Sequence, residues 1–242
     1  MRRTAVIIGA TGAIGAACAR KLANDGWCVV LSGNSHMEKA EELKAVIVSD
    51  GGEAQCFRAD VSKSADADAL IEFAVRQYGA VDALVCCAGI SRFSLVTETS
   101  DEEWREVIDT DLSSVFYTVR AAAKRMIGRK SGSIIAMSSI WGSEGASMES
   151  AYAAAKGGIE AFIKSCAKEF APSGITANCI APGVIDTPMN AHLSEDEKKA
   201  LCEEIPLGRF GTAEEVADIT AAVINNRYIT GQIIGINGGI AM

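Results

Sequence analysis

The chain has 242 residues, with 31 acidic against 23 basic side chains and a formal net charge of −8. That length suits one α/β domain, and the acidic balance excludes a surface built to meet nucleic-acid phosphate or anionic lipid. Hydrophobic residues make up 49%, which supplies a sizeable core and excludes a disordered chain.

The first apolar run, 4–9, follows Arg2 and Arg3 and imitates a secretory leader as far as Ala19. Gly9, Gly12 and Gly15 break the run and Thr11 interrupts it, so a strand, a glycine turn and a helix over 14–24 explain it better. No run reaches the ~18 apolar residues of a membrane span. Short Val/Ile/Cys-rich runs follow at 28–32, 54–58, 83–87, 133–138, 176–181 and 233–236. They lack polar alternation, which predicts strands buried on both faces. Between them, helical spacing covers 37–48, 65–78, 101–127, 150–171 and 213–225. Ser100-Asp101, and Thr212 ahead of Glu214-Glu215, mark helix starts. Gly26, Gly51-Gly52, Gly79, Gly128 and Gly174 mark helix ends. Strict alternation predicts a seven-stranded, doubly wound parallel α/β sheet with helices on both faces, one domain over 1–242.

Eight cysteines stand at 18, 28, 56, 86, 87, 166, 179 and 202. Most lie in apolar runs, none forms a C-x-x-C pair, and the histidines are His36 and His192. We read buried thiols in a reducing cytoplasm, and no metal site.

Gly9-Ala10-Thr11-Gly12-Ala13-Ile14-Gly15 joins the first strand to the first helix. Glycines there permit a tight turn and a close approach to a pyrophosphate, which the free N–H groups of the helix start would bind. At the end of the second strand, where an acidic residue would hold the ribose 2′-hydroxyl of NAD, the sequence is Ser32-Gly33-Asn34-Ser35-His36. With no carboxylate, a 2′-phosphate meets no repulsion, and Asn34 and Ser35 can donate to it. No Arg or Lys stands in that segment either, so the usual charge-assisted grip is missing. The expectation is NADP(H), with NAD(H) open.

Tyr152 and Lys156 share a helical face at i and i+4. A phenol with an ordinary pKa of about 10 is a poor acid at neutral pH, and a neighbouring ammonium favours its ionised form. Such a pair can give a proton to a carbonyl oxygen as hydride reaches the carbon. Ser138-Ser139 closes the preceding strand, at the end of the sheet where ligands gather, and its hydroxyl can bond the carbonyl. A serine hydrolase is the competing enzyme class, but there is no G-x-S-x-G, and neither histidine stands as an obvious base.

With the glycine loop, Ser139, Tyr152 and Lys156 in this order, the chain resembles the short-chain dehydrogenase/reductase family over essentially all 242 residues. The resemblance implies a single Rossmann-like domain and hydride exchange between a nicotinamide cofactor and a ketone or alcohol. Asp60 and Val61 in Ala59-Asp60-Val61 would hold adenine, Ile185 and Thr187 the carboxamide, and Lys156 the nicotinamide ribose. Further implied cofactor contacts are Gly9, Thr11, Gly12, Ile14, Gly15, Asn34, Ser35, Cys87, Ala88, Gly89, Tyr152, Pro182 and Gly183. Ser139 would orient the carbonyl and Tyr152 would be the acid/base. The C-terminal motifs 205–209, 228–232 and 237–239 look like the bacterial 3-oxoacyl-acyl-carrier-protein reductase branch. Ser138-Ser139-Ile140-Trp141-Gly142 resembles reductases that act on an aminopentanone of elongation factor P, with Trp141 bordering the substrate.

Three residues depart from the family pattern. Ala13 replaces the loop's middle glycine, and Cys86-Cys87 replace two asparagines. Asp111 stands where a catalytic asparagine holds a relay water through its main-chain carbonyl. Asp111 can serve the same way, with a helix bulge aiming its carbonyl at the site and its side chain turned away; the other reading is a carboxylate that pairs with Lys156. The leading substrate is a 3-oxoacyl thioester, small or carrier-bound. The alternatives are a ketone on a modified protein side chain and a low-activity dinucleotide-binding regulator. A lid is expected over 189–204, and a homotetramer or homodimer through the long helices and the C-terminal strand.

Overall fold

The structure, a computed structural model, describes residues 2–190 and 193–241. Each apolar run forms a strand: β1 (Thr4–Ile8), β2 (Cys28–Gly33), β3 (Glu53–Arg58), β4 (Ala83–Cys86), β5 (Gly132–Met137), β6 (Ile175–Pro182) and β7 (Ile233–Ile236). All pair in parallel in one sheet, in the order β3-β2-β1-β4-β5-β6-β7. The strands β1, β2, β4, β5 and β6 are buried along their whole length, which is why they carry no polar alternation. The outermost strands, β3 and β7, are partly exposed.

Helices cover both faces. On one side α1 (Ala13–Asn24), α2 (Met37–Ser49) and α9 (Ala213–Asn225) enclose Ile7, Leu31, Val85 and Ile135. On the other, α3 (Ser64–Tyr78), α5 (Ser114–Arg129) and α7 (Ser150–Phe170) enclose Val6, Leu84, Ile134 and Ala177. The winding reverses between β1 and β4, which opens a crevice at the C-terminal strand ends. Among the described residues no helix is long and apolar enough to cross a membrane.

The expected helix over 101–127 is real but interrupted. It consists of α4 (Asp101–Val107), a π turn over Ile108–Ser113, and α5. Ser100 starts α4 and Thr212 starts α9, each with a reciprocal capping box, as their sequence signals indicate. Gly128 does not end a helix: it lies inside α5, which closes on Lys130 in the left-handed region. The short helix α6 (Ile140–Glu144) was not anticipated. In the lid span 189–204, α8 (Glu195–Glu204) begins at a Ser194 capping box and carries the charged run as a largely solvated face. Positions 191 and 192, including His192, lie outside the described residues.

Candidate active site

At the end of β1 the chain turns on Gly9, whose φ is +76°. The N–H groups of Gly9 and Ala10 both donate to the Ser32 carbonyl at 2.9 Å, which ties the glycine loop to β2. A Cβ on Gly9 would stand 2.6 Å from the Ala88 nitrogen, and one on Gly15 would stand 2.2 Å from the Gly9 carbonyl oxygen. Neither position admits a side chain. Helix α1 starts at Gly12 with no side-chain cap and no acidic residue in its first turn. Its leading N–H groups are left for an anion, as a dinucleotide pyrophosphate requires. Ser32 Oγ is buried at the end of β2 without a hydrogen-bond partner, beside exposed Asn34 and Ser35. Across β3, Val61 is buried. The Asp60 carboxylate accepts from Ser62 Oγ at 2.6 Å and pairs with Lys63 at 2.9 Å, and these bonds hold its pKa low. The backbone cradle and the open β2 end fit a dinucleotide.

A pocket of about 110 Å³ opens at the strand ends. The expected residues Ile14, Cys87, Gly89, Ser139, Tyr152, Lys156, Pro182, Gly183, Ile185 and Thr187 line it together. Met137, Ser138, Met189 and Asn190 join them, and the sequence reading had named none of these four for the cofactor. Asn190 Nδ2 donates to the Ile185 carbonyl at 2.8 Å, which fastens the start of the span 189–204 to the pocket wall. Trp141 is not among the lining residues. It is half-buried on α6, and its backbone N–H donates to Ser139 Oγ at 3.2 Å. That bond uses an oxygen lone pair and leaves the Ser139 hydroxyl proton to donate.

The two serines have different partners. Ser138 Oγ donates to Glu160 Oε1 at 2.7 Å, and Ser143 Oγ donates to Glu160 Oε2 at 3.1 Å. Buried Glu160 on α7 thereby clamps the end of β5 and the short helix α6. Ser139 is left facing the pocket. Sequence reasoning missed Glu160; its place four residues after Lys156 was the available signal.

The placement of Asp111 corrects the expectation that its side chain turns away. The π turn does turn Asp111 inward, but the carboxylate itself is fully buried beneath the pocket. Oδ1 accepts from the Ile90 N–H at 2.8 Å. Oδ2 lies 3.1 Å from Lys156 Nζ, an ion pair without good hydrogen-bond alignment. Lys156 Nζ also donates to the Met137 carbonyl at 3.1 Å and sits 5.2 Å from the centre of the Tyr152 ring. A Cβ on Gly89 would stand 2.7 Å from Asp111 Oδ2 and 3.1 Å from Lys156 Nζ, so a side chain there would have to displace the pair. Burial pushes Asp111 up, and the ammonium opposes it. For Lys156 burial works against the charge, but Asp111 and Tyr152 outweigh it and the ammonium is held above its ordinary value. The reason for the failed expectation is physical: a buried ammonium needs an anion, and Asp111 supplies one where the family residue is neutral.

All eight cysteines are free thiols. Burial raises Cys86 and Cys179 to about 12, so both stay protonated. Among the described residues no three His, Cys, Asp or Glu side chains cluster as a metal site.

The family model described as enoyl-(acyl carrier protein) reductase matches residues 9–241. An uncharacterized oxidoreductase of Bacillus subtilis, YmfI, is 39% identical over 242 residues, covering 99% of this chain and 99% of the relative. The 3-oxoacyl-[acyl-carrier-protein] reductase FabG of Staphylococcus aureus is 37% identical over 244 residues, covering 100% of this chain and 99% of that protein. The FabG of Staphylococcus epidermidis is 37% identical, with both chains covered in full.

Proposed function

The chain belongs to the short-chain dehydrogenase/reductase family of nicotinamide-dependent oxidoreductases, and on that premise we propose an NADPH-dependent reductase of ketones to secondary alcohols. A 3-oxoacyl thioester on a carrier is the best substrate, because relatives of 37% identity carry that activity in their names. One observation carries the reading: Ser139, Tyr152 and Lys156 line a single pocket with Ile14 of the glycine loop and Ile185 and Thr187.

When bound, a reduced nicotinamide would supply hydride for the carbonyl carbon. Ser139 donates a hydrogen bond to the carbonyl oxygen and fixes its position. Tyr152 gives its phenolic proton to that oxygen as charge develops there. The Lys156 ammonium stabilises the phenolate left behind. Asp111 acts through Lys156 and is a positioning residue, not a catalytic one. Ile185 and Thr187 would hold the carboxamide, and Asp60 and Val61 the adenine end. Eight free thiols, five of them buried, support a reducing compartment such as the cytoplasm.

A second reading, a ketone on an amine-bearing side chain of a protein, is favoured by Glu149. This carboxylate stands one helical turn before Tyr152, accepts from Ser91 Oγ, and forms no ion pair among the described residues. The deciding assay is NADPH oxidation with a short 3-oxoacyl thioester and with a short amino ketone. Faster turnover of the thioester supports the first reading. A preference for the amino ketone that Glu149→Gln removes would put the second in its place, and no turnover of either would leave a regulator.

A further inference from the structure

The segment after β2 holds no Lys or Arg, so the preference for NADP(H) rested on the absence of a carboxylate and on the neutral donors Asn34 and Ser35. The sheet register supplies a charge from another strand. β3 pairs in parallel with β2, and Arg58 stands opposite Gly33. The Ala59 N–H donates to the Gly33 carbonyl at 3.0 Å, so the ladder holds to its last residue. Side chains of residues paired in this way leave the same face of the sheet, with neighbouring strands about 4.8 Å apart. The face is that of the glycine loop, because a Cβ on Gly33 would meet Thr11 Cγ2 at 2.8 Å. Arg58 therefore leaves the sheet one strand outward from the β2 end, over which the adenosine ribose of a dinucleotide lies.

Arg58 is exposed and forms no ion pair among the described residues. The carboxylates Glu38, Glu41 and Asp60 on neighbouring segments already have partners. His36 Nδ1 meets Glu38 at 3.2 Å, Lys44 meets Glu41 at 3.4 Å, and Lys63 meets Asp60 at 2.9 Å. An arginine fork with no carboxylate partner, within side-chain reach of Asn34 and Ser35, has the geometry that phosphate takes up bidentately.

We propose that Arg58 grips the 2′-phosphate of NADP(H), so that cofactor choice is set from β3 and not from the turn after β2. This rests on the nicotinamide-dependent reading above.

The test is equilibrium binding by the full chain without substrate, read from the fluorescence of NADPH and of NADH. Arg58→Ala should weaken NADPH by about tenfold to hundredfold, the range of a lost charge-assisted contact. NADH affinity should stay within about threefold, and Arg58→Lys should recover part of the loss. Because Arg58 is exposed at a strand end, the fold is not at stake, and unchanged NADH binding checks that. NADPH binding that ignores Arg58→Ala, or equal loss for both dinucleotides, would overturn the assignment alone. Wild-type protein that binds neither dinucleotide would overturn the reductase reading with it.

Discussion

Asp111 and Lys156 form the one ion pair among the described residues in which both side chains are buried, at 0% and 4% exposure. The charges facing Lys156 come from several elements. Asp111 is on the π turn, Tyr152 is on α7, and the thiols of Cys86, Cys87 and Cys179 are on β4, the loop after it, and β6. The thiols are neutral and Glu160 is bonded to two serines, so Asp111 is the anion that decides the lysine's titration. Asp111→Asn keeps the shape and removes that anion. Burial then meets less opposition, and the Lys156 pKa falls. The alkaline limb of the kcat profile should move toward neutral pH by a unit or more, since one unit is only about 1.4 kcal/mol and a buried charge stripped of its partner costs more. Superimposed wild-type and Asp111→Asn profiles would return the role to the main-chain carbonyl. A single sequence could place Asp111 on a helix near Lys156. It could not say which way the side chain points, because one extra residue in the π turn decides that.

At the scale of elements, the strands were legible because full burial writes itself as unbroken apolar runs, and the capped helices because Ser100 and Thr212 carry their signals. The register between β2 and β3 was not legible: nothing local to Gly33 shows that Arg58 stands across from it. Nor was α6, whose five residues are too few for a periodic pattern and depend on the Ser139 cap. The long helices α5 and α7 carry a further consequence. Phe116 is 40% exposed, stacks edge-on with Phe162 at 5.9 Å, and lies under the Arg120 guanidinium at 4.9 Å. Such an aromatic group on an outer helix face suits burial against a second copy, in keeping with the homodimer or homotetramer proposed from the family. Phe116→Asp should lower the solution mass by light scattering toward that of one chain. A wild-type mass equal to one chain would remove the assembly.

For the whole molecule, the sheet topology gathers residues from the start of α1, the loop after β4, the end of β5, α7 and the segment after β6 at one set of strand ends. Segments up to 176 residues apart, from Ile14 to Asn190, thus meet in one site. The sequence order of the glycine loop, Ser139, Tyr152 and Lys156 made that site legible before any coordinates, because each motif falls just after a strand or at a helix start. The Ser138 and Ser143 partners of Glu160 and the Asn190 contact with the Ile185 carbonyl depend on tertiary packing and were not legible, while the Asp111 pair with Lys156 stood in the sequence only as one of two readings. The account stands on Tyr152 as the proton donor to a ketone reduced by hydride. The most direct measurement is the rate of NADPH oxidation by Tyr152→Phe with the ketone that wild type turns over, alongside NADPH affinity. The ring keeps its packing and loses only its hydroxyl, so kcat should fall by about 10² to 10⁴ while the cofactor still binds; a rate within about twofold of wild type would contradict the mechanism.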